Sequence, residues 1–320
     1  MAAGHSSGRH VVMALAATVA LAATAGACGG RDDSAGGSTK RAPTTTTSAS
    51  TTASIAPTTV APTSATPTSA APTTTAAPTA APPATVAPAP SVPTTTAAPG
   101  PGLAGRTILV DPGHNGANGA HPSQINTKVF IGTGMKECDT TGTATGDGYS
   151  EAAYTFDVAI RLQAILTAAG AKPVMTRSDN SGVGPCITQR AGLGNLAKAD
   201  VAVSIHADSS GAGNRGFHVI EPGPVPGYND GIVAPSKLFG RVLRDTYAAE
   251  TGVPPANYVG TNGEITRTDL GGLNLSKVPK VFIETGNMAN ATDAALLTDP
   301  AFRQKAAQAI ADAMAKYLGG

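Results

Sequence analysis

The sequence has no tryptophan, and aromatic and charged residues make up only 4% and 13% of its 320 residues. The formal net charge is +1, without the basic excess that nucleic-acid-binding proteins carry, so no nucleic-acid partner is expected. Neither HExxH nor CxxC occurs, so no metal site can be read from a single short motif. Nothing in the sequence requires an oligomer, and a monomer is expected.

Long apolar runs are also missing, and none reaches the ~20 residues that a membrane-spanning helix needs. One shorter run, residues 11–23, follows a weakly basic start at Arg9 and precedes small residues at 25–27. This order of basic, apolar and small segments is typical of a secretory signal, which we predict over residues 1–27. A retained membrane anchor is the alternative interpretation.

Cysteine is scarce, with Cys28, Cys138 and Cys186 as the three examples. Residues 25–28 (AGAC) resemble a lipobox with Ala in place of the usual Leu, so we expect Cys28 to be lipidated and to attach the protein to a membrane. Ordinary cleavage after residues 23–25 is the alternative. Lipidation would leave Cys138 and Cys186 as an even pair, free to form a disulfide in an oxidising compartment or to remain as two buried thiols.

Residues 28–104 are rich in Ala, Pro, Thr and Ser, and no charged residue lies between Arg41 and Arg106. Such a segment has too little apolar bulk to offset the entropy of the chain, so we predict a disordered linker. Its frequent prolines favour extended stretches that can hold a folded domain away from a membrane. We therefore expect an exported protein of the cell envelope, membrane-anchored through Cys28 or otherwise secreted.

The remaining residues, 105–320, alternate short apolar segments with helical ones. This pattern predicts one α/β domain with a largely parallel sheet. The predicted strands cover residues 107–110, 173–176, 201–205, 216–220 and 281–283, and the predicted helices cover 150–169, 187–199, 234–251 and 299–319.

Three polar side chains come at the carboxyl ends of predicted strands. His206 and Glu284 directly follow theirs, and His114 follows its strand after a short turn. Because ligands bind outside the carboxyl ends of the strands in open α/β sheets, we expect these side chains at one edge.

Glu151 is a fourth candidate, in the first turn of the helix that Ser150 is predicted to cap. It lies seven residues before Val158 and shares the apolar face of that helix. A carboxylate that only complements the helix dipole would face water. An inward carboxylate needs a partner, because burying an unpaired charge is costly, and a cation is the simplest one.

Two histidines and one glutamate form a known catalytic zinc set, with water in the fourth position. His114, Glu151 and His206 are therefore the predicted Zn²⁺ ligands. Zinc lowers the pKa of its bound water to ~7, and Glu284 can take the water proton and pass it to a leaving nitrogen. The set has the parts needed to hydrolyse an amide.

The segments around these residues resemble the zinc-dependent N-acetylmuramoyl-L-alanine amidase family, type 3. The matching pieces are residues 108–114, 148–151, 204–208 and 282–286, and the likeness covers about 105–320. The resemblance implies a twisted sheet flanked by helices, zinc bound by the two histidines and Glu151, and a catalytic Glu284. It also implies a substrate, the amide that joins the lactyl group of N-acetylmuramic acid to L-alanine of the stem peptide in peptidoglycan, so muropeptides are the expected partner.

Several other residues are candidates for supporting roles. Arg177 and Arg190 are candidates for contacting stem-peptide carboxylates, with helix packing or capping as the alternative. Asn290 fits the family pattern after Glu284 and is a third candidate for substrate binding. We expect Asp111 to orient the turn that carries His114. His121 is expected to be a solvated loop residue and His218 to have a structural role.

The segment 115–149 is long for a loop in a compact domain, which is typical of a functional or disordered segment. We expect it to border the zinc cleft, pinned by a Cys138–Cys186 disulfide, and to limit substrate access. Two other functions stay open at this point. One is a zinc peptidase or carboxypeptidase acting on stem peptides, and the other is a non-catalytic wall-binding lipoprotein with a degenerate site.

Overall fold

The computed structural model describes residues 102–319 of the chain. The predicted signal segment, Cys28 and almost all of the predicted linker lie outside these residues. The strands are β1 (Thr107–Pro112), β2 (Lys128–Phe130), β3 (Met135–Glu137), β4 (Lys172–Met175), β5 (Val201–Asp208), β6 (His218–Pro222), β7 (Glu264–Arg267) and β8 (Lys280–Asn287). The α-helices are α1 (Pro122–Ile125), α2 (Glu151–Ala168), α3 (Ile187–Ala197), α4 (Val233–Thr251), α5 (Gly271–Asn274), α6 (Ala291–Thr298) and α7 (Pro300–Gly319).

Six of the strands form one sheet in the order β4-β1-β5-β8-β6-β7, and β2 and β3 form a separate hairpin. Neighbours in the large sheet are parallel except β6 and β8, which are antiparallel. The prediction of an α/β domain with a mostly parallel sheet flanked by helices is confirmed.

Helices cover both faces of the sheet, so its central strands are buried on both sides. In β1, Ile108 and Val110 pack into the large core under α2, α4 and α7, whereas Leu109 packs into a smaller cluster with Leu193 of α3. Strands of this kind read as continuous apolar runs rather than as alternating patterns. That is why the runs in β1, β5 and β8 could be recognised from the sequence.

Two strands extend further than the sequence indicated. β5 continues to Asp208 and β8 to Asn287, so His206 and Glu284 lie within strands and are paired in register. In each strand the apolar run stops before the polar site residues begin. Hydrophobicity alone therefore places the end of the strand too early. The hairpin β2–β3, β7, α5 and α6 were missed because they are short and carry no clear periodicity.

The folded part begins before residue 105, which corrects the predicted boundary. Leu103 is 1% exposed and belongs to the large core. Next to it, Gly102 has φ +133°, and a Cβ there would lie 2.8 Å from the carbonyl oxygen of Ala315 in α7. Across residues 102–319, no helix has the length and apolar character needed to cross a membrane.

Candidate metal centre and active site

The three predicted metal ligands come from three different elements and meet at the carboxyl edge of the sheet. His114 lies in the turn after β1, His206 lies in β5, and Glu151 is the first residue of α2. One ligand atom from each lies within 4.8 Å of the others. The Ser150 hydroxyl accepts a hydrogen bond from the amide of Ala153, as the predicted N-cap should, and this fixes where the helix starts.

Glu151 is the centre of this cluster. Its Oε1 lies 2.9 Å from Nδ1 of His206, and its Oε2 lies 3.3 Å from Nε2 of His114. The backbone amides of Thr143 and Ala207 donate to the same carboxylate at 3.0 and 3.2 Å. Burial works against ionisation, but the two histidines hold the pKa of the Glu151 carboxyl well below its usual range.

The charges of the cluster favour a cation. Burial lowers the pKa of His114, but Glu151 and then Asp139 outweigh it and raise that pKa to about 10. A buried carboxylate between two imidazoles thus draws positive charge, and a divalent metal would displace protons from the imidazoles on binding. The donor set of two nitrogens and one carboxylate fits a divalent metal ion, so these three residues could hold one.

Two glycines let the ligands approach this closely. A Cβ on Gly113 would lie 2.2 Å from Cε1 of His206. Gly142 has φ +72°, and its Cβ would lie 2.8 Å from Cδ2 of His114 and 2.9 Å from Oε2 of Glu151. Any side chain at either position would displace a ligand.

Glu284 lies beside the cluster on β8. It is in register with His206 on one side and with His218 on the other, and it lines a cavity together with the three ligands. Its Oε2 is buried and has no hydrogen-bond partner among residues 102–319. Burial first, and then the charges of Glu151 and Asp208, raise the pKa of Glu284 well above its ordinary value, so the carboxyl holds a proton readily.

Two cavities open on the cluster and share His114, His206 and Phe282 in their walls. The ring of Phe282 stacks on His206 with 5.1 Å between centroids. One cavity extends towards α3 and α5. The other extends past Glu284 to Arg267, the arginine in its lining. Sequence reasoning missed Arg267 because it lies at the end of a short strand, outside any motif.

A family model described as N-acetylmuramoyl-L-alanine amidase matches residues 108–316. An N-acetylmuramoyl-L-alanine amidase of Mycobacterium tuberculosis is 40% identical over 68% of this chain and 88% of its own length. The chain belongs to the N-acetylmuramoyl-L-alanine amidase family. The predictions of this family and of an amidohydrolase are confirmed.

Solved structures of this family share the fold. The crystal structure of an N-acetylmuramyl-L-alanine amidase of Mycobacterium smegmatis is 43% identical and gives a TM-score of 0.64, covering 68% of this chain and 98% of that one. A second, from Mycobacterium abscessus, is 44% identical with a TM-score of 0.64, covering 67% and 99%. The likeness therefore spans the described domain.

In this amidase domain, the guanidinium of Arg177 makes its hydrogen bonds within the protein. Its guanidinium donates to the carbonyl oxygens of Pro112 and Gly113 after β1 and to that of Ala152 in α2. It also donates to Asn180 at 3.0 Å. The side chain is therefore a structural support that joins the β1 turn to α2.

Arg190 is a second support of the same turn. It donates to the carboxylate of Asp111 at 3.0 Å, to that of Asp139 at 3.0 Å, and to the carbonyl oxygen of His114 at 2.9 Å. The hydrogen bonds of both arginines fit the alternative packing role, and a contact between either of them and the substrate remains a prediction. A buried guanidinium needs acceptors on all sides, and the turn supplies them.

Asp111 lies below the turn and is tied to it through Arg190, as its predicted orienting role requires. The ammonium of Lys280, which is 0% exposed, donates to it at 2.8 Å, and the Ser204 hydroxyl donates at 2.6 Å. Burial opposes ionisation, but Lys280 and Arg190 hold the pKa of Asp111 well below its usual range. These partners therefore satisfy the hydrogen-bonding capacity of the Asp111 carboxylate.

The remaining candidates lie away from the ligands. Asn290 caps α6, with Oδ1 accepting from two backbone amides, and its amide donates to the carbonyl oxygen of Ala212. A contact between Asn290 and the substrate remains a prediction. His121 is exposed, with Nδ1 3.0 Å from the carbonyl oxygen of Ala117. His218 is buried in β6, where burial lowers its pKa to about 4, so the imidazole is neutral.

The segment 115–149 borders the metal cluster, as expected, but it is not a structureless loop. It contains a 3-10 helix (Asn118–Ala120), α1 and the β2–β3 hairpin, and its Thr140, Gly142 and Thr143 line the second cavity. A disulfide joins Cys138 to Cys186. That the segment limits substrate access remains a prediction.

Proposed function

We propose that this protein hydrolyses the amide between the lactyl group of N-acetylmuramic acid and L-alanine of the stem peptide in peptidoglycan. In this proposal His114, Glu151 and His206 hold Zn²⁺, and Glu284 is the general acid and base. One observation carries it: in a member of this family, a buried carboxyl oxygen of Glu284 that has no hydrogen-bond partner among residues 102–319 lies in the same cavity as a two-histidine, one-glutamate cluster.

Zinc is the metal we assign, because a His₂Glu set with an open position is typical of catalytic zinc sites. When bound, the metal supplies Lewis acidity and lowers the pKa of a bound water to ~7. The residues then divide the remaining work. The amides of Thr143 and Ala207 orient the Glu151 carboxylate towards the imidazoles.

Glu284 is suited to move the proton. Its free Oε2 can accept a proton from the attacking water, and the raised pKa lets the carboxyl keep that proton until the leaving nitrogen takes it. Phe282 and Leu270 line the same cavity as the carboxyl. The proton thus passes from the water to the nitrogen of L-alanine through one side chain.

We further propose that the protein acts outside the cytoplasm, exported by residues 1–27, lipidated at Cys28 and held near the wall by the linker 28–104. These segments lie outside the described residues, so the support is their composition. Relatives whose names describe them as cell wall amidases support this location.

The test uses the full chain and purified muropeptides, with products identified by mass. We expect release of intact stem peptide, loss of this activity with a chelator and recovery on adding zinc. Glu284→Gln should lower kcat by at least about 100-fold, the size of a general acid–base contribution, while zinc stays bound. Glu250→Gln, on the far helix α4, is the matched control and should keep full activity.

Other products would point elsewhere. Cleavage between residues of the peptide would show a stem-peptide peptidase instead. A folded, zinc-loaded chain that binds muropeptides without cutting them would show a wall-binding lipoprotein.

A further inference from the structure

The Nδ1 atom of His114 is surrounded by acceptors from two consecutive residues. The carbonyl oxygen of Thr140 lies at 3.1 Å, the Thr140 hydroxyl at 3.2 Å and Oδ1 of Asp139 at 3.5 Å. A carbonyl and a carboxylate can only accept, so Nδ1 carries the imidazole proton. When the imidazole is neutral, as a metal ligand must be, its lone pair is on Nε2, the nitrogen that faces Glu151.

Asp139 is held firmly in this place. It is 4% exposed, its Oδ2 accepts from Arg190 at 3.0 Å, and its Oδ1 accepts from the amide of Thr140 at 2.8 Å. The same Nη2 of Arg190 also donates to the carbonyl oxygen of His114. The Arg190 guanidinium therefore fixes the distance between the backbone of His114 and the Asp139 carboxylate, which faces the His114 ring.

The Cys138–Cys186 disulfide lies next to these residues in the chain. Cys138 precedes Asp139, and Cys186 precedes α3, the helix that carries Arg190. The amide of Ile187 donates to the carbonyl oxygen of Cys138 at 2.7 Å. The covalent bond thus joins the two segments whose side chains, Asp139 and Arg190, meet beside the ligand.

We propose that Asp139 is a positioning residue for the bound metal, and that the Cys138–Cys186 disulfide strengthens metal binding by holding Asp139 against His114. The proposal rests on the proposed metal site but not on the proposed substrate. A carboxylate behind a ligand histidine fixes the ring and makes its other nitrogen a better donor. The disulfide would therefore act on metal retention, through a residue that lies beside the ligand His114.

The first experiment measures the Kd for Zn²⁺ of the full chain by competition with a chromophoric chelator. Asp139→Asn keeps the shape but removes the charge, and we expect zinc to bind about 10- to 100-fold more weakly. Asp245→Asn, an exposed carboxylate on α4, is the matched control and should bind as the unaltered protein does. An unchanged Kd in Asp139→Asn overturns the proposal.

The second experiment removes the disulfide with Cys138→Ser and Cys186→Ser together. Serine at these two positions adds no free thiol and needs no thiol reductant, both of which bind zinc and would obscure the result. We expect weaker zinc binding in this variant. Combined with Asp139→Asn, the serine pair should weaken binding by less than about twofold further, because two residues acting through one contact are not additive. Full additivity would overturn the coupling of the disulfide to Asp139.

Two measurements separate positioning from misfolding. Cooperative thermal unfolding in excess chelator shows that each metal-free variant is folded, and at saturating zinc we expect KM for muropeptides to be unchanged. A raised KM at saturating zinc would instead assign these residues to the substrate cleft and overturn the proposal. If the serine pair does not fold, Asp139→Asn with its disulfide intact still decides the role of Asp139. Weaker zinc binding in a chain that cuts no muropeptide would refute the proposed function alone.

Discussion

At the scale of single residues, the metal site depends on backbone conformations that few residues adopt. His114 itself has φ 58°, in the left-handed region that is uncommon for a residue other than glycine. Its ring is held by contacts at both nitrogens, which offset the cost of that conformation. Gly142, at φ +72°, lies against the same ring.

This close approach makes a prediction about Gly142. Gly142→Ala should weaken zinc binding by at least about tenfold, because the added Cβ displaces His114 and Glu151. Gly148→Ala is a matched control, since Gly148 has φ +85° with nothing within 4 Å of the added Cβ. Both variants carry the same backbone cost of about 1–2 kcal/mol. Zinc competition and thermal unfolding on both would separate the two effects, and equal zinc affinities would contradict the prediction.

At the scale of elements, the sheet places His206 and Glu284 in its central strands and a pair of acids near its edge. Glu221 of β6 is buried, and its Oε1 has no hydrogen-bond partner among residues 102–319. Glu264 begins the neighbouring strand β7. Burial first, and then Glu264, raise the pKa of Glu221 to about 6, although Lys237, Arg241 and Arg244 act in the opposite direction.

The stability of the fold should depend on pH through this carboxyl. Between its ordinary pKa of 4.5 and about 6, the folded state keeps a proton that the unfolded chain has released. Stability from this group is therefore present below pH 4.5 and is lost as the pH rises through 6. The free energy of unfolding of Glu221→Gln, relative to that of the unaltered protein, should rise by at most about 2 kcal/mol from pH 4.5 to pH 7.

Urea unfolding at pH 4.5 and at pH 7 would measure this difference in the free energy of unfolding. Asp245→Asn, on the exposed face of α4, is the control and should show no such gain. A Glu221→Gln variant that parallels the unaltered protein across this range would show that the carboxyl is ionised in the fold.

At the scale of the whole molecule, the domain includes residues that composition assigns to the linker. Leu103 packs into the core with α7, so the two ends of the described chain meet. Leu103→Ala should lower the free energy of unfolding by about 2–5 kcal/mol, as for other buried leucines. Leu196→Ala, at a residue 83% exposed, should change it by less than about 0.5 kcal/mol. Equal effects in denaturant unfolding would place Leu103 outside the core.

The sequence by itself determined five of the six strands of the large sheet and the four residues that are proposed to carry the chemistry. Buried parallel strands are continuous apolar runs, and the residues after them share one edge, so His114, His206 and Glu284 could be placed from local patterns. Glu151 was found the same way, from its place on the apolar face of a capped helix.

Only the tertiary structure decided what surrounds those four residues. Arg177 and Arg190 donate hydrogen bonds to the β1 turn, Asp139 faces His114, and Arg267 lines the cleft. These side chains are far apart in the chain, and their partners are set by how strands and loops pack. Periodicity reports which face of an element is buried, but it does not report which distant group a buried charge will meet.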